Sequence, residues 1–287
     1  MSNAPLEYIE LRQRRDFSAV ISTGFQFIRQ NWKTLYRPLV FLCLPLYIVA
    51  SLFMGSFFRT IYANPGDPAA VLGSMGGMSA GYLLMALSML LMYTLVFEYM
   101  RFYMLNRGLA PTLGELWKEA SRQLIPYFVI GLLAGIIAMF GLLLLFFGAL
   151  WLAIVFTMAM PLRAFERASI GDCIGRSFKL VKGHWWETFG LVLVLAMLIG
   201  FVSYFIYLPF LLLTGFGAMS GLEDPMQAGE QLGWMMTVFM LVAGVVNVLL
   251  QPFLQVPIGL QALSLLEEKE GRGLLQRVDE ATAPPAA

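Results

Sequence analysis

The sequence predicts an all-α polytopic membrane protein: six transmembrane helices, arranged as three hairpins, with short amphipathic interfacial helices at the cytoplasmic face. Three observations predict it. Residues 126–162 form a run of 37 without a charged side chain, bracketed by Lys118, Arg122, Arg163 and Arg167. A helix crosses a bilayer core with about 20 apolar residues, so this run fits two crossings that return to one Lys/Arg-rich side. Second, 59% of the 287 residues are hydrophobic and only 13% charged, against about 25% charged in soluble domains. A charge at mid-bilayer costs roughly 2.5–3.5 kcal/mol even on the lenient insertion scale, which explains the deficit. Third, the charges sort by side. Of the 19 Lys and Arg, 18 fall with the termini, and only Arg59 falls opposite, beside Asp67, Glu223, Asp224 and Glu230. The positive-inside rule then places both termini in the cytoplasm.

Taken in order, the elements follow from periodicity and punctuation. Residues 16–32 carry Phe17, Val20, Ile21, Gly24, Phe25, Ile28 and Trp32 at helical spacing behind Asp16, a suitable N-cap. The first span is 39–58. Arg12, Arg14, Arg15, Arg29, Lys33 and Arg37 precede it without an apolar signal-peptide core, so this span is expected to serve as an uncleaved insertion signal. An outer loop, 60–80, holds the turn cluster Asn64-Pro65-Gly66-Asp67-Pro68. The second span is 81–105. Residues 112–124 form a second interfacial helix, with Thr112 and Glu115 as a capping box. The third and fourth spans, 125–145 and 146–162, divide the long run near Gly141 or Gly148. Residues 169–186 form the third interfacial helix, which aligns without gaps on the first: Ile21, Phe25, Ile28, Arg29 and Trp32 match Ile174, Phe178, Val181, Lys182 and Trp185. Spans at 188–213 and 235–260 flank a second outer loop at 215–233. A cytoplasmic tail, 267–287, includes an amphipathic stretch at 274–278. Residues 1–287 thus read as a single membrane domain built from three units of interfacial helix plus hairpin.

Residues 163–186, RAFERASIGDCIGRSFKLVKGHWW, resemble the middle of a group of six-span bacterial proteins that includes the membrane domain of glycerophosphodiester phosphodiesterases. The tail LEEKEGRGLLQRVDE, residues 266–280, is similar to tails of standalone Bacteroidetes-type members without the catalytic domain. The resemblance implies fold, span count and a bacterial inner-membrane location. It does not carry over phosphodiesterase activity, because His184 is the only histidine and no acidic cluster stands ready for a metal.

Two groups of residues are candidates for function. Glu98 and Arg101 lie one turn apart and can pair. Asn247, Gln251 and Gln255 recur every four residues beside Pro252 and Pro257, as a polar wall of interhelical hydrogen bonds or of a cavity open to the cytoplasm. Separately, Arg29, Lys33, Arg176, Lys179 and Lys182 form a basic collar on the interfacial helices, with Trp185 and Trp186 as interfacial aromatics. The collar suits a non-enzymatic scaffold or accessory protein acting on lipids or partner proteins at the cytoplasmic face. The polar wall suits a small transporter or lipid-handling protein. No enzyme is expected, since no nucleophile–base pair is placed. No metal or cofactor is expected either: Cys43 and Cys173 fall at different depths, and the methionines act as apolar filler of spans. Membrane lipids, other membrane proteins or a second copy are the expected partners. A net charge of +1 gives no reason to expect nucleic acid.

The orientation is testable. Membrane-impermeant reagents applied from outside should label cysteines introduced within 60–80 and 215–233 and leave those within 165–183 unlabelled; labelling of 165–183 would reverse the topology.

Overall fold

The computed structural model describes residues 8–64, 66–143, 146–220 and 225–271, and every regular element among them is helical. The expected amphipathic stretch at 274–278 lies outside the described residues, as do Glu223 and Asp224. Six stretches are long and apolar enough to cross a bilayer: Phe17–Ala63, Pro68–Leu105, Leu113–Ile137, Phe147–Glu166, Trp185–Leu213 and Glu230–Glu270.

Helix α1 (Phe17–Pro38) starts where the Asp16 carboxylate accepts the Ala19 N–H at 2.7 Å. It continues through a π-helical turn, Leu39–Cys43, into α2 (Leu44–Ala63), so the segment 16–32 and the first span share one unbroken helix. The π turn has a local cause. Pro45 offers no N–H to the ladder, and the register slips so that the Leu44 N–H donates to the Leu39 carbonyl. The Ser88 hydroxyl then donates to the Cys43 carbonyl at 2.9 Å.

The turn cluster is much shorter than the loop expected there. Asp67 accepts the Ala69 N–H at 2.9 Å, and α3 (Pro68–Leu105) takes up all of 69–80. Gly73, Gly76 and Gly77 cost about 1 kcal/mol each relative to Ala inside a helix, and a long apolar helix absorbs that. Helix α4 (Leu113–Leu143) opens on a closed capping box. Thr112 N–H donates to Glu115 Oε2 at 2.9 Å, and Glu115 N–H returns to Thr112 Oγ1 at 3.3 Å. Segment 112–124 and the start of the third span therefore form one rod.

The expected fourth span divides into α5 (Phe146–Thr157) and α6 (Ala159–Glu166). Then come α7 (Ile170–Val181), capped by Ser169, α8 (Trp185–Ser220) and α9 (Pro225–Leu250). Helix α10 (Pro252–Glu270) begins on a proline, so the expected sixth span is broken at Gln251. Proline is favoured at a first helical position, where its missing N–H would have no partner anyway.

The chain clusters into two compact units: unit 1 is Met1–Leu35, Tyr93–Ala196 and Pro252–Ala287, and unit 2 is Tyr36–Met92 and Met197–Gln251. In unit 1, Phe27 meets Tyr99 and Tyr103 edge-on, and Gly259 lets Phe97 and Met100 close on α10. The stretch before α1 is tied in as well: the Ile9 N–H donates to the Tyr103 hydroxyl at 3.1 Å and the Arg15 N–H to Ser264 at 2.8 Å. In unit 2, α2 packs along α9 over small residues. Gly244 lies under Tyr47, and a Cβ at Gly55 would collide with the Thr237 side chain.

That contact yields a prediction. Gly55→Ala should lower the thermal midpoint in detergent, with an overpacking cost of about 1–3 kcal/mol; an unchanged midpoint would mean that α2 and α9 do not pack there.

Candidate functional site

Unit 1 contains a buried charge cluster centred on α3. Glu98 is fully buried, and its carboxylate receives Arg167 Nη2 at 2.8 Å. Arg101, the partner expected from helical spacing, is farther off at 3.9 Å. Arg167 also reaches Glu119 of α4 at 3.0 Å, and Arg122 closes on Glu119 at 3.4 Å. One guanidinium thus bridges α3 and α4 from the link between α6 and α7. Arg167 takes φ 52 as the C-cap of α6, a left-handed conformation that side chains other than Gly, Asn and Asp seldom adopt. Its two ion pairs hold it there. Arg163, one turn earlier, donates to Gln123 Oε1 at 3.0 Å and to the Ala168 carbonyl at 2.5 Å.

Beneath this cluster Tyr127 is wholly buried, and its hydroxyl finds no partner among the described residues; neither do Glu98 Oε1 and Arg167 Nη1. Gln255 of α10 is likewise fully buried with both amide atoms unpartnered there. The other two residues of the expected polar stripe belong to unit 2. In that unit Asn247 accepts the Tyr47 hydroxyl at 3.0 Å, while Gln251 Oε1 is buried without a partner among the described residues.

The collar residues have different surroundings. Arg176 pairs with Glu270 at 2.5 Å and Glu166 at 3.4 Å, and Glu166 also takes Arg12 at 3.0 Å. Desolvation works against the Arg176 charge, but the hydrogen bonds and charges of Glu270 and Glu166 outweigh it and raise its pKa. Lys179 and Lys182 keep exposed side chains, and both of their carbonyls accept from Lys269 Nζ, at 2.5 and 2.8 Å. His184 lies 3.3 Å from Glu187 and 3.6 Å from Glu268. Trp185 stacks on Phe189 at 5.1 Å, whereas Trp186 stands 77% exposed. Cys173 lies on the buried face of α7, and burial pushes its thiol pKa up.

Arg29 and Lys33 are exposed on α1, with no ion-pair partner among the described residues. Beside Arg29 runs a groove of about 880 Å³ lined by Phe25, Gln26, Ile28, Trp32 and, from α10, Phe253.

Sequence reasoning singles out Glu98, Arg101 and the collar residues but not Arg167, Glu119, Tyr127 or Glu166, which the structure places in or beneath the ion-pair networks around them. Arg167 stands 69 residues from Glu98, and no local spacing announces such a pair. The available signal was the acid itself: a carboxylate on an apolar helix needs a cation that its own helix supplies poorly.

The family described as the membrane domain of glycerophosphoryl diester phosphodiesterase matches residues 121–266. No curated protein and no solved structure matches. With this match and six helices able to span a bilayer, the chain is a multi-pass integral membrane protein.

Arg167→Met should lower the thermal midpoint sharply, because stranding a buried carboxylate costs about 3–5 kcal/mol. Adding Glu98→Gln should recover part of that loss. Strictly additive effects of the two changes would show that the pair is not coupled.

Proposed function

The chain belongs to the family of membrane domains of glycerophosphoryl diester phosphodiesterases, and from that premise we propose that it is a non-enzymatic accessory protein of a bacterial inner membrane, acting on lipids through its cytoplasmic collar. One observation carries the proposal: Arg12, Arg101, Arg122, Arg167 and Arg176 are paired with acids of unit 1, whereas Arg29 and Lys33 are exposed and have no ion-pair partner among the described residues. Cations left unpaired beside an aromatic surface suit phosphate-bearing headgroups. Arg176, Lys179, Lys182, Trp185 and Trp186 form the rest of the collar in this reading. The ion pairs and hydrogen bonds of α7 and α10 fix its backbone, and Trp186 anchors it at the interface. Both termini are then cytoplasmic.

A second reading, a small transporter or lipid-handling protein with a polar cavity, draws support from Gln255, Glu98 and Tyr127. Their buried atoms, unpartnered among the described residues, would be satisfied by water or by a polar solute. Asn247, Gln251 and Arg101 complete the residue set that reading needs.

Native mass spectrometry of the full chain in mild detergent separates the two. The accessory reading expects co-purifying phospholipid that survives Gln255→Leu. A retained solute of other mass, lost in Gln255→Leu, would replace it with the transport reading.

A further inference from the structure

The groove on α1 has the chemistry of a particular ligand. Its walls divide in two. Phe25, Ile28, Trp32 and Phe253 supply an aromatic and aliphatic side, with Phe25 and Phe253 at 5.3 Å between ring centroids. Gln26 and Arg29 supply the polar side. No acid among the described residues lines the groove, so no described carboxylate compensates the Arg29 charge there. The neighbouring depression of about 520 Å³ shows the contrast, since Glu10 and Asp16 line it together with Arg14 and Arg15.

The groove's volume of about 880 Å³ falls in the range of small-molecule sites, roughly 300–1,000 Å³. From Ser22 to Trp32 it follows about 15 Å of helix. Trp32 is 50% exposed, and an indole with one wet and one apolar edge favours the boundary between water and hydrocarbon. By sequence, the groove ends about two turns before the apolar residues of the first span begin, the distance of a headgroup layer. A guanidinium binds phosphate oxygens through two parallel N–H groups, and Lys33 adds a second exposed cation one turn further along.

We propose that this groove is a binding site for one anionic phospholipid, with the phosphodiester on Arg29 and the start of an acyl chain along Phe25, Trp32 and Phe253. The proposal rests on the lipid reading above and assigns it a site.

The test is native mass spectrometry of the full chain, delipidated in mild detergent and titrated with phosphatidylglycerol. Wild type should hold a single lipid tightly, Arg29→Glu should weaken it about tenfold, and Arg29→Lys should retain most of it. Arg29 is exposed, so the thermal midpoints of these variants should match wild type. If Arg29→Glu binds like wild type while Lys179→Glu/Lys182→Glu does not, the groove is overturned and the lipid reading survives at α7. If wild type itself takes up no lipid, the site and the reading fall together.

Discussion

A carboxylate on an apolar helix must be neutralised by its surroundings, and the way this chain neutralises Glu98 governs much of unit 1. The cation arrives from far along the sequence. Arg167 occupies a left-handed turn between α6 and α7 and reaches across to α3, with Glu119 of α4 sharing the same guanidinium. Three segments remote in sequence converge on one charged group. Removing charges from water is costly, and the pair offsets that cost only if its geometry is kept. The position of the α6–α7 link is therefore tied to α3, and α7 inherits it. At the other end of α7 the same logic recurs in a half-exposed form, with Arg176, Glu166, Arg12 and Glu270 linked to the end of α10.

These networks have a consequence for function. Each internal pair removes a cation from the set available to outside anions. The collar read from the sequence treats its five basic residues alike; the structure divides them. Arg176 is committed to Glu166 and Glu270, while Arg29, Lys33, Lys179 and Lys182 have exposed side chains with no ion-pair partner among the described residues, and of these Arg29 borders an apolar groove. The same argument separates the polar residues. Glu98 and Asn247 are engaged by Arg167 and Tyr47, whereas Gln255 keeps both amide atoms buried and unpartnered among the described residues.

The elements with strong local signals were legible in the sequence. Helical periodicity and charge deserts revealed the all-α fold and the six crossings, and the caps at Asp16 and Thr112 were read from residue type alone. Boundaries were less legible where no local signal opposes helix. Nothing between Trp32 and Leu39 stops α1, so it runs on, and the Gly/Ser/Met-rich stretch after Pro68 has the composition of a loop although its glycines cost too little to break a long apolar helix. The broken sixth span was half visible, since Pro252 marks a start as readily as a kink. The partner of Glu98 was not legible at all, because spacing within a helix favours Arg101 and tertiary geometry favours Arg167.

The most direct test of the account compares hydrogen–deuterium exchange of the full chain reconstituted in bilayers with and without anionic phospholipid. The account predicts slower exchange over residues 20–33 when anionic lipid is present, with a smaller change in α7, where Arg176 and the carbonyls of Lys179 and Lys182 are already engaged. Slower exchange over residues 170–183 with none at 20–33 would contradict it.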